Sequence, residues 1–197
     1  DTAFDEEITY RSGGIRLNYQ NKVDKVGAMK EGILLEAGFD DVTPNKTITI
    51  SSWAYDRAIE SKVEIIDNRA LDSICYHPGY TLVEKLQTIA TKFRNEQGKG
   101  VKVVNFMRQY YDVYCLLGSP EVIEFIGSEE YQAHKEKRFP TVDFEIPISK
   151  NEAFLLSSPE IRADFKARYK KTAALYYLGQ PPFEELIERI AKHIKKM

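Results

Sequence analysis

The sequence predicts an α+β protein in which a sheet region, residues 1–79, is followed by a helical lobe, residues 80–197. Three observations carry this. Up to Tyr76, apolar residues alternate with polar ones over short runs, the period of a half-buried strand. Beyond Tyr80 they recur every three to four residues, the period of an amphipathic helix. In that second part Ser-Pro-Glu occurs twice, at Ser119–Glu121 and Ser158–Glu160, with Ser as helix cap and Pro at the first helical position.

The chain has 197 residues, 43% of them hydrophobic, enough to bury a sizeable core in one domain or two small lobes. Lys and Arg number 28 against 30 Asp and Glu, so the whole-chain field does not advertise nucleic-acid binding, and any such contact has to be local. Cys75 and Cys115 show no metal or redox spacing, and both are expected to be reduced core thiols. No apolar run approaches the ~18 residues of a membrane span, and the acidic start is not a signal peptide. No membrane partner is expected, and the cytoplasm is the expected compartment. The chain opens without an initiator Met, and the expectation is a fragment of a longer protein.

Within the sheet region, Glu6 to Tyr19 reads as a strand, with Ser12-Gly13-Gly14 as a turn or bulge. A phosphate-cradling role for that Ser-Gly-Gly is disfavoured, because neither a Lys-Ser/Thr pair nor a helix start follows. Ile33-Leu-Leu-Glu-Ala-Gly38 reads as a buried central strand in which Glu36 shares a face with Leu34. A carboxylate buried there needs a partner, since an unpaired one costs several kcal/mol. A salt bridge to Arg16 and a role as metal ligand both satisfy that need. Thr47–Ser51, Lys62–Ile66 and Ser73–Tyr76 are further strands, with a turn or helix around Trp53–Ile59. His77, beside Pro78, is expected to be structural.

Thr81 and Glu84 form a capping box that starts a helix running to Arg94, with Leu82, Leu86, Ile89 and Phe93 on its apolar stripe. Lys85 flanks that stripe and Glu84 points away from it. A polar loop, 95–100, then leads to a helix over Lys102–Leu117. Val104, Met107, Tyr111, Tyr114 and Leu117 form its apolar stripe, and Arg108, Asp112 and Cys115 the next row. Arg108 and Asp112 are an i,i+4 pair, which on a surface is usually only decoration.

Tyr80-Thr-Leu-Val-Glu-Lys-Leu86 and Arg108-Gln-Tyr-Tyr-Asp-Val-Tyr-Cys-Leu-Leu117 resemble two signature segments of the AbiEii-type abortive-infection nucleotidyltransferase toxins. That family lies within the DNA polymerase beta-like nucleotidyltransferases. The resemblance implies a partial nucleotidyltransferase-type mixed sheet ahead of the helical lobe, with nucleotide transfer from an NTP to an acceptor hydroxyl, on RNA. It implies Lys85 on the nucleotide phosphates, Asp112 in the active-site wall, Glu36 as a ligand of Mg²⁺, and a cognate antitoxin as partner. Arg16, Arg108 and Tyr111 are the expected substrate contacts. Many relatives carry an acid where this chain has Gln109, so only Asp112 carries over from the second segment.

Two Mg²⁺ ions need clustered carboxylates. The Gly-Ser and Asp-x-Asp that supply the other ligands in such enzymes are absent, their place being ahead of residue 1. Gly127-Ser128 with Asp143 and Glu145 imitates them in the wrong order. The chain alone is therefore expected to lack the metal-binding pair, and the competing reading is a non-catalytic module binding protein or RNA.

Arg138–Asn151 reads as an irregular connector, Gly179 as the end of the helix begun at Ser158, and Phe183–Met197 as a last amphipathic helix. Arg162, Lys166, Arg168, Lys170 and Lys171, interleaved with Tyr169 and Tyr176, are expected to be a solvated face rather than an RNA grip.

Overall fold

The computed structural model describes residues 12–20, 22, 31–103, 105–176 and 178–197. Residues 6–11 of the expected first strand, and Val104, lie outside them. The chain divides into two compact units, Asp1–Thr43 and Pro44–Met197. β3, α1 and β4, introduced below, precede residue 79 yet belong to the second unit.

In the first unit β1 (Ser12–Leu17) pairs antiparallel with β2 (Ile33–Gly38), setting Gly14 opposite Glu36 and Arg16 opposite Leu34. Ser-Gly-Gly is thus strand, not turn. The close approach explains the glycine: a Cβ on Gly14 would sit 3.1 Å from Leu34 Cδ1 and 3.2 Å from Leu35 O. The buried central strand expected at 33–38 is also corrected, because every residue of β2 is exposed. A two-stranded ladder covers neither of its own faces.

In the second unit β3 (Asn45–Ile50) pairs antiparallel with β4 (Ala70–Tyr76), with Ile48 opposite Ser73 and an irregularity before Ile50. Between them runs α1 (Trp53–Glu60), whose cap Ser52 accepts from Tyr55 N at 3.1 Å. The strand expected at 62–66 does not form. Lys62 is left-handed (φ 56°) after α1, and Arg69 clamps Asp67 through Nε and NH2 at 2.9 and 2.6 Å, which shapes the segment locally without a partner strand.

Helix α2 (Pro78–Lys99) begins one turn before Thr81. His77 is its cap, Nδ1 accepting from Gly79 N at 3.0 Å, and Pro78 brings a preset φ to the first position. Glu84, freed from capping, accepts instead from Tyr76 Oη at 3.2 Å. The expected loop at 95–99 is helix, closed by Gly100 in the left-handed conformation (φ 66°) with its N–H on Glu96 O. Tertiary pairing of Glu96, described below, overrides the polar composition of that turn.

Around α2 pack α3 (Arg108–Leu116), α4 (Pro120–Phe125), α5 (Glu129–Arg138), α6 (Thr141–Phe144) and α7 (Glu152–Leu155). Leu82, Val83, Leu86, Ile89 and Ala90 of α2 are at most 1% exposed and form the middle of the core. Gly79 lets α4 close in, since a Cβ there would lie 2.4 Å from the Phe125 ring. α3 starts at Arg108, not Lys102, because Asn105 turns left-handed (φ 60°). Its buried positions are Tyr110 and Val113, continued by Met107 and Leu117. Tyr111 and Tyr114, expected within the stripe, are part-buried at its edge.

α8 (Pro159–Lys170) and α9 (Phe183–His193) complete the lobe. The connector at 138–151 contains α6 and a 3₁₀ turn, Ile148–Lys150, and Gly179 ends a turn beyond α8 rather than α8 itself. Leu186, Ile190 and Ile194 are buried as expected. Cys75 is half-buried and Cys115 exposed, both free, so Cys115 is no core thiol. It sits on α3 two residues past buried Val113, off the core-facing row. Among the described residues no helix is long and apolar enough to cross a membrane. The α+β class, with its helical C-terminal part, is as expected, and among the described residues its strands form two antiparallel two-stranded ladders.

Candidate functional site

On α2, Lys85 lies beside the buried Leu86 and Leu82, so its stem runs along the core while its ammonium reaches α3. There Nζ meets Asp112 Oδ2 at 2.8 Å and Gln109 Oε1 at 3.2 Å. The two side chains of the ion pair are 31% and 38% exposed, so the pair is held by the core yet open to solvent. Gln109 and Asp112 stand three residues apart on α3, hence on one face. The residue that departs from the signature segment therefore still serves the lysine, as a neutral second acceptor.

Arg108 is exposed one turn before Asp112 on the same helix. Tyr111 stacks near Tyr114 (ring centroids 6.4 Å apart) and touches Tyr176 from the segment after α8 (4.2 Å). The Cys115 thiol bonded to its hydroxyl, followed by burial, pushes the Tyr111 phenol up to about 12. It stays protonated at neutral pH and can donate. Lys85, Asp112, Arg108 and Tyr111 are thus on neighbouring positions of two packed helices. Sequence reading missed two members: Gln109, read only as a lost acid, and Tyr176, read only as one of the aromatic residues among the basic ones of α8.

Arg16 and Glu36 belong to the first unit. Arg16 donates from NH1 to Glu31 O at 3.2 Å, and Glu36 is exposed on β2. Their register places them diagonally on one face of the ladder, yet no ion pair joins them among the described residues.

The sequence-level decoy has a structural role. Asp143 is 2% exposed and accepts from Thr91 Oγ1 at 2.6 Å and from Arg94 Nε at 2.7 Å. Burial pushes its carboxyl up, but the Arg94 and Thr91 hydrogen bonds with the Arg94 charge outweigh this and leave it below the usual range. The basic residues of α8 are largely neutralised in place: Arg162 and Lys166 bind Glu184, and Arg168 binds Glu96 and Asp164. His77 joins its capping bond to an Nε2 contact with Glu121 at 3.1 Å, a structural role.

A family model described as Nucleotidyl transferase AbiEii toxin, Type IV TA system, matches residues 1–189. The chain belongs to the AbiEii family. No curated protein and no solved structure matches it. Membership in the AbiEii family makes it a nucleotidyltransferase toxin of a type IV toxin–antitoxin system, with a nucleotide substrate and a cognate antitoxin. The AbiEii nucleotidyltransferases generally use a divalent metal. Among the described residues no three of His, Cys, Asp and Glu converge into a group that could hold one. The described part of this AbiEii chain therefore does not fit a metal centre by itself, and Glu36 has no cluster around it there.

Proposed function

We propose that the corner formed by Lys85, Asp112, Gln109 and Arg108 is the triphosphate-contacting wall of a nucleotidyltransferase that moves a nucleotide from an NTP to a hydroxyl on RNA. The observation that carries this is the Lys85 ammonium itself, braced by Asp112 and Gln109 at 2.8 and 3.2 Å while about a third exposed. A braced, solvent-reachable ammonium is already oriented when an anion arrives, which is how preorganised charge lowers a barrier. The exposed Arg108 guanidinium adds a second cation with bidentate geometry for phosphate oxygens.

In the reaction the acceptor hydroxyl gives its proton to solvent as its oxygen bonds to the α-phosphorus, the α–β bridging P–O bond breaks, and pyrophosphate departs with the electron pair. Charge builds on the phosphoryl and leaving oxygens, and Lys85 and Arg108 neutralise it. Asp112 orients Lys85. Tyr111, protonated, borders the same wall as a hydroxyl donor. We take Mg²⁺ as the ion accompanying the NTP. No step is assigned through the metal, since the described residues do not assemble its ligands.

The test is transfer itself: the full-length protein, with the segment that supplies the remaining metal ligands, each of the four labelled NTPs, Mg²⁺ and total RNA, with an EDTA control. The reading requires label from at least one NTP in RNA, dependent on divalent metal, with pyrophosphate released. Label that enters protein only, or no label with any NTP, contradicts the RNA reading.

A further inference from the structure

Beside the phosphate wall stands an aromatic one. Tyr176 follows the 3₁₀ turn Ala173–Leu175, in a segment tied to the last turn of α8. Thr172 Oγ1 donates to Tyr169 O at 2.7 Å, and Gln180 Nε2 donates to Tyr169 O and to Thr172 Oγ1 at 2.8 and 3.0 Å. These bonds fold the segment back, and the Tyr176 ring comes to rest 4.2 Å from that of Tyr111 on α3. Tyr111 adjoins Asp112 and lies one turn from Arg108. Burial raises the Tyr176 phenol's pKa, and the charges of Asp112 and Arg108 act on it in opposite directions, so it stands within electrostatic reach of both.

The neighbouring tyrosines have other work. Arg189 covers the Tyr114 ring at 3.7 Å and Glu185 takes its hydroxyl. Tyr169 is 2% exposed beneath Tyr176, the rings 6.2 Å apart, and its hydroxyl finds no partner among the described residues. A buried unpaired hydroxyl where Phe would pack as well shows that this cluster is not optimised for stability alone. Tyr111 and Tyr176, like Tyr114, are only part-buried, but unlike Tyr114 neither carries an arginine over its ring among the described residues.

We propose that the Tyr111–Tyr176 pair is the nucleobase-stacking wall of the site. The inference rests on the functional reading above. Phosphate contacts hold any nucleotide, whereas a ring that must lie flat on a tyrosine face selects for a planar base and fixes the distance from base to phosphate. That base belongs either to the incoming NTP or to the terminal residue of the acceptor RNA.

The experiment is calorimetric titration of the full chain, wild type and variants, with the NTPs and separately with a single-stranded RNA trinucleotide. Tyr176→Leu is expected to weaken binding roughly tenfold, the size of one lost base–aromatic stack, whereas Tyr176→Phe stays within about threefold. Loss for NTPs alone assigns the wall to the incoming base, and loss for the trinucleotide alone assigns it to the acceptor. Tyr176→Leu binding both ligands as wild type does, at an unchanged melting temperature, overturns the proposal.

Lys85→Ala keeps the two readings apart: lost NTP affinity there, with neither NTP nor trinucleotide affinity lost in Tyr176→Leu, leaves the phosphate wall standing and removes the stacking wall, and the reverse result does the opposite. Where Tyr176→Leu fails to fold, Tyr176→Trp in a Trp53→Phe background reports directly. Its fluorescence is expected to be quenched by whichever ligand stacks there, and no quenching by either ligand rejects the wall.

Discussion

Arg168 reaches from α8 to Glu96 on α2, placing NH2 2.7 Å from Oε1 and NH1 2.9 Å from Oε2. Glu96 is buried, its side chain 5% exposed, Arg168 is part-buried at 14%, and Arg168 also donates to Val103 O. This bidentate pair keeps the last turn of α2 helical and fixes the segment that leads into α3, which carries Asp112. Arg168→Ala leaves Glu96 buried without its cation, and removal of one partner of a buried pair costs about 3 to 5 kcal/mol. Urea unfolding should show a loss of about 3 kcal/mol, the low end, because Val103 N still donates to Glu96.

Asp143 makes stability depend on pH. Its folded pKa lies below the ordinary value. Its contribution is therefore full above the unfolded carboxylate pKa of about 3.9 and is lost as pH falls through the folded value. Asp143→Asn should cost about 2 kcal/mol at pH 7, with charge-assisted hydrogen bonds lost at a buried site. It should also flatten the acid limb of the stability–pH curve below about pH 4. Melting curves from pH 2 to pH 7 for both proteins measure this.

Tyr169→Phe removes the buried hydroxyl that has no partner among the described residues. Because an unsatisfied buried polar group costs about 1 to 3 kcal/mol, the variant should be as stable as wild type or more stable by about 1 kcal/mol. A melting temperature several degrees lower would show that the hydroxyl is bonded in solution.

Much of the helical lobe was legible because its signals are local. The Leu82–Phe93 stripe, the Ser158 cap and the Leu186–Ile194 stripe are set by residues within a turn or two of each other. The errors arise where a distant partner decides. Asn95–Lys99 reads as loop by composition, yet Arg168, 72 residues on, draws Glu96 inward and extends the helix. Lys62–Ile66 alternates like a strand but pairs with no strand among the described residues.

At the site, Lys85 and Asp112 were legible from the signature segments. Tyr111 was placed both on the apolar stripe and among the substrate contacts, and it packs part-buried at the edge of that stripe. Tyr176 left no local signal, because its place depends on bonds from Thr172 and Gln180 and on the arrival of α3.

The Asp112–Lys85 contact should matter for chemistry far more than for folding. Both side chains are about a third exposed, and such pairs contribute about 0.2 to 1 kcal/mol. Asp112→Asn keeps the shape and removes the charge that orients Lys85. Stability should change by less than about 1 kcal/mol, while kcat/KM for transfer falls and KM for NTP moves less than kcat.

The most direct test is Lys85→Ala, assayed for nucleotide transfer beside a melting curve. Leu86 and Leu82 fill the core without it, so the melting temperature should shift by no more than a few degrees, corresponding to about 1 kcal/mol or less. Transfer should fall roughly a hundredfold or more, the usual effect of deleting one preorganised charge at a developing anion. Lys85→Arg should also lose activity, its planar fork replacing a compact ammonium between Asp112 and Gln109. Wild-type transfer by Lys85→Ala, or a collapse of its melting temperature, would contradict the account, because Lys85 would then be incidental or structural.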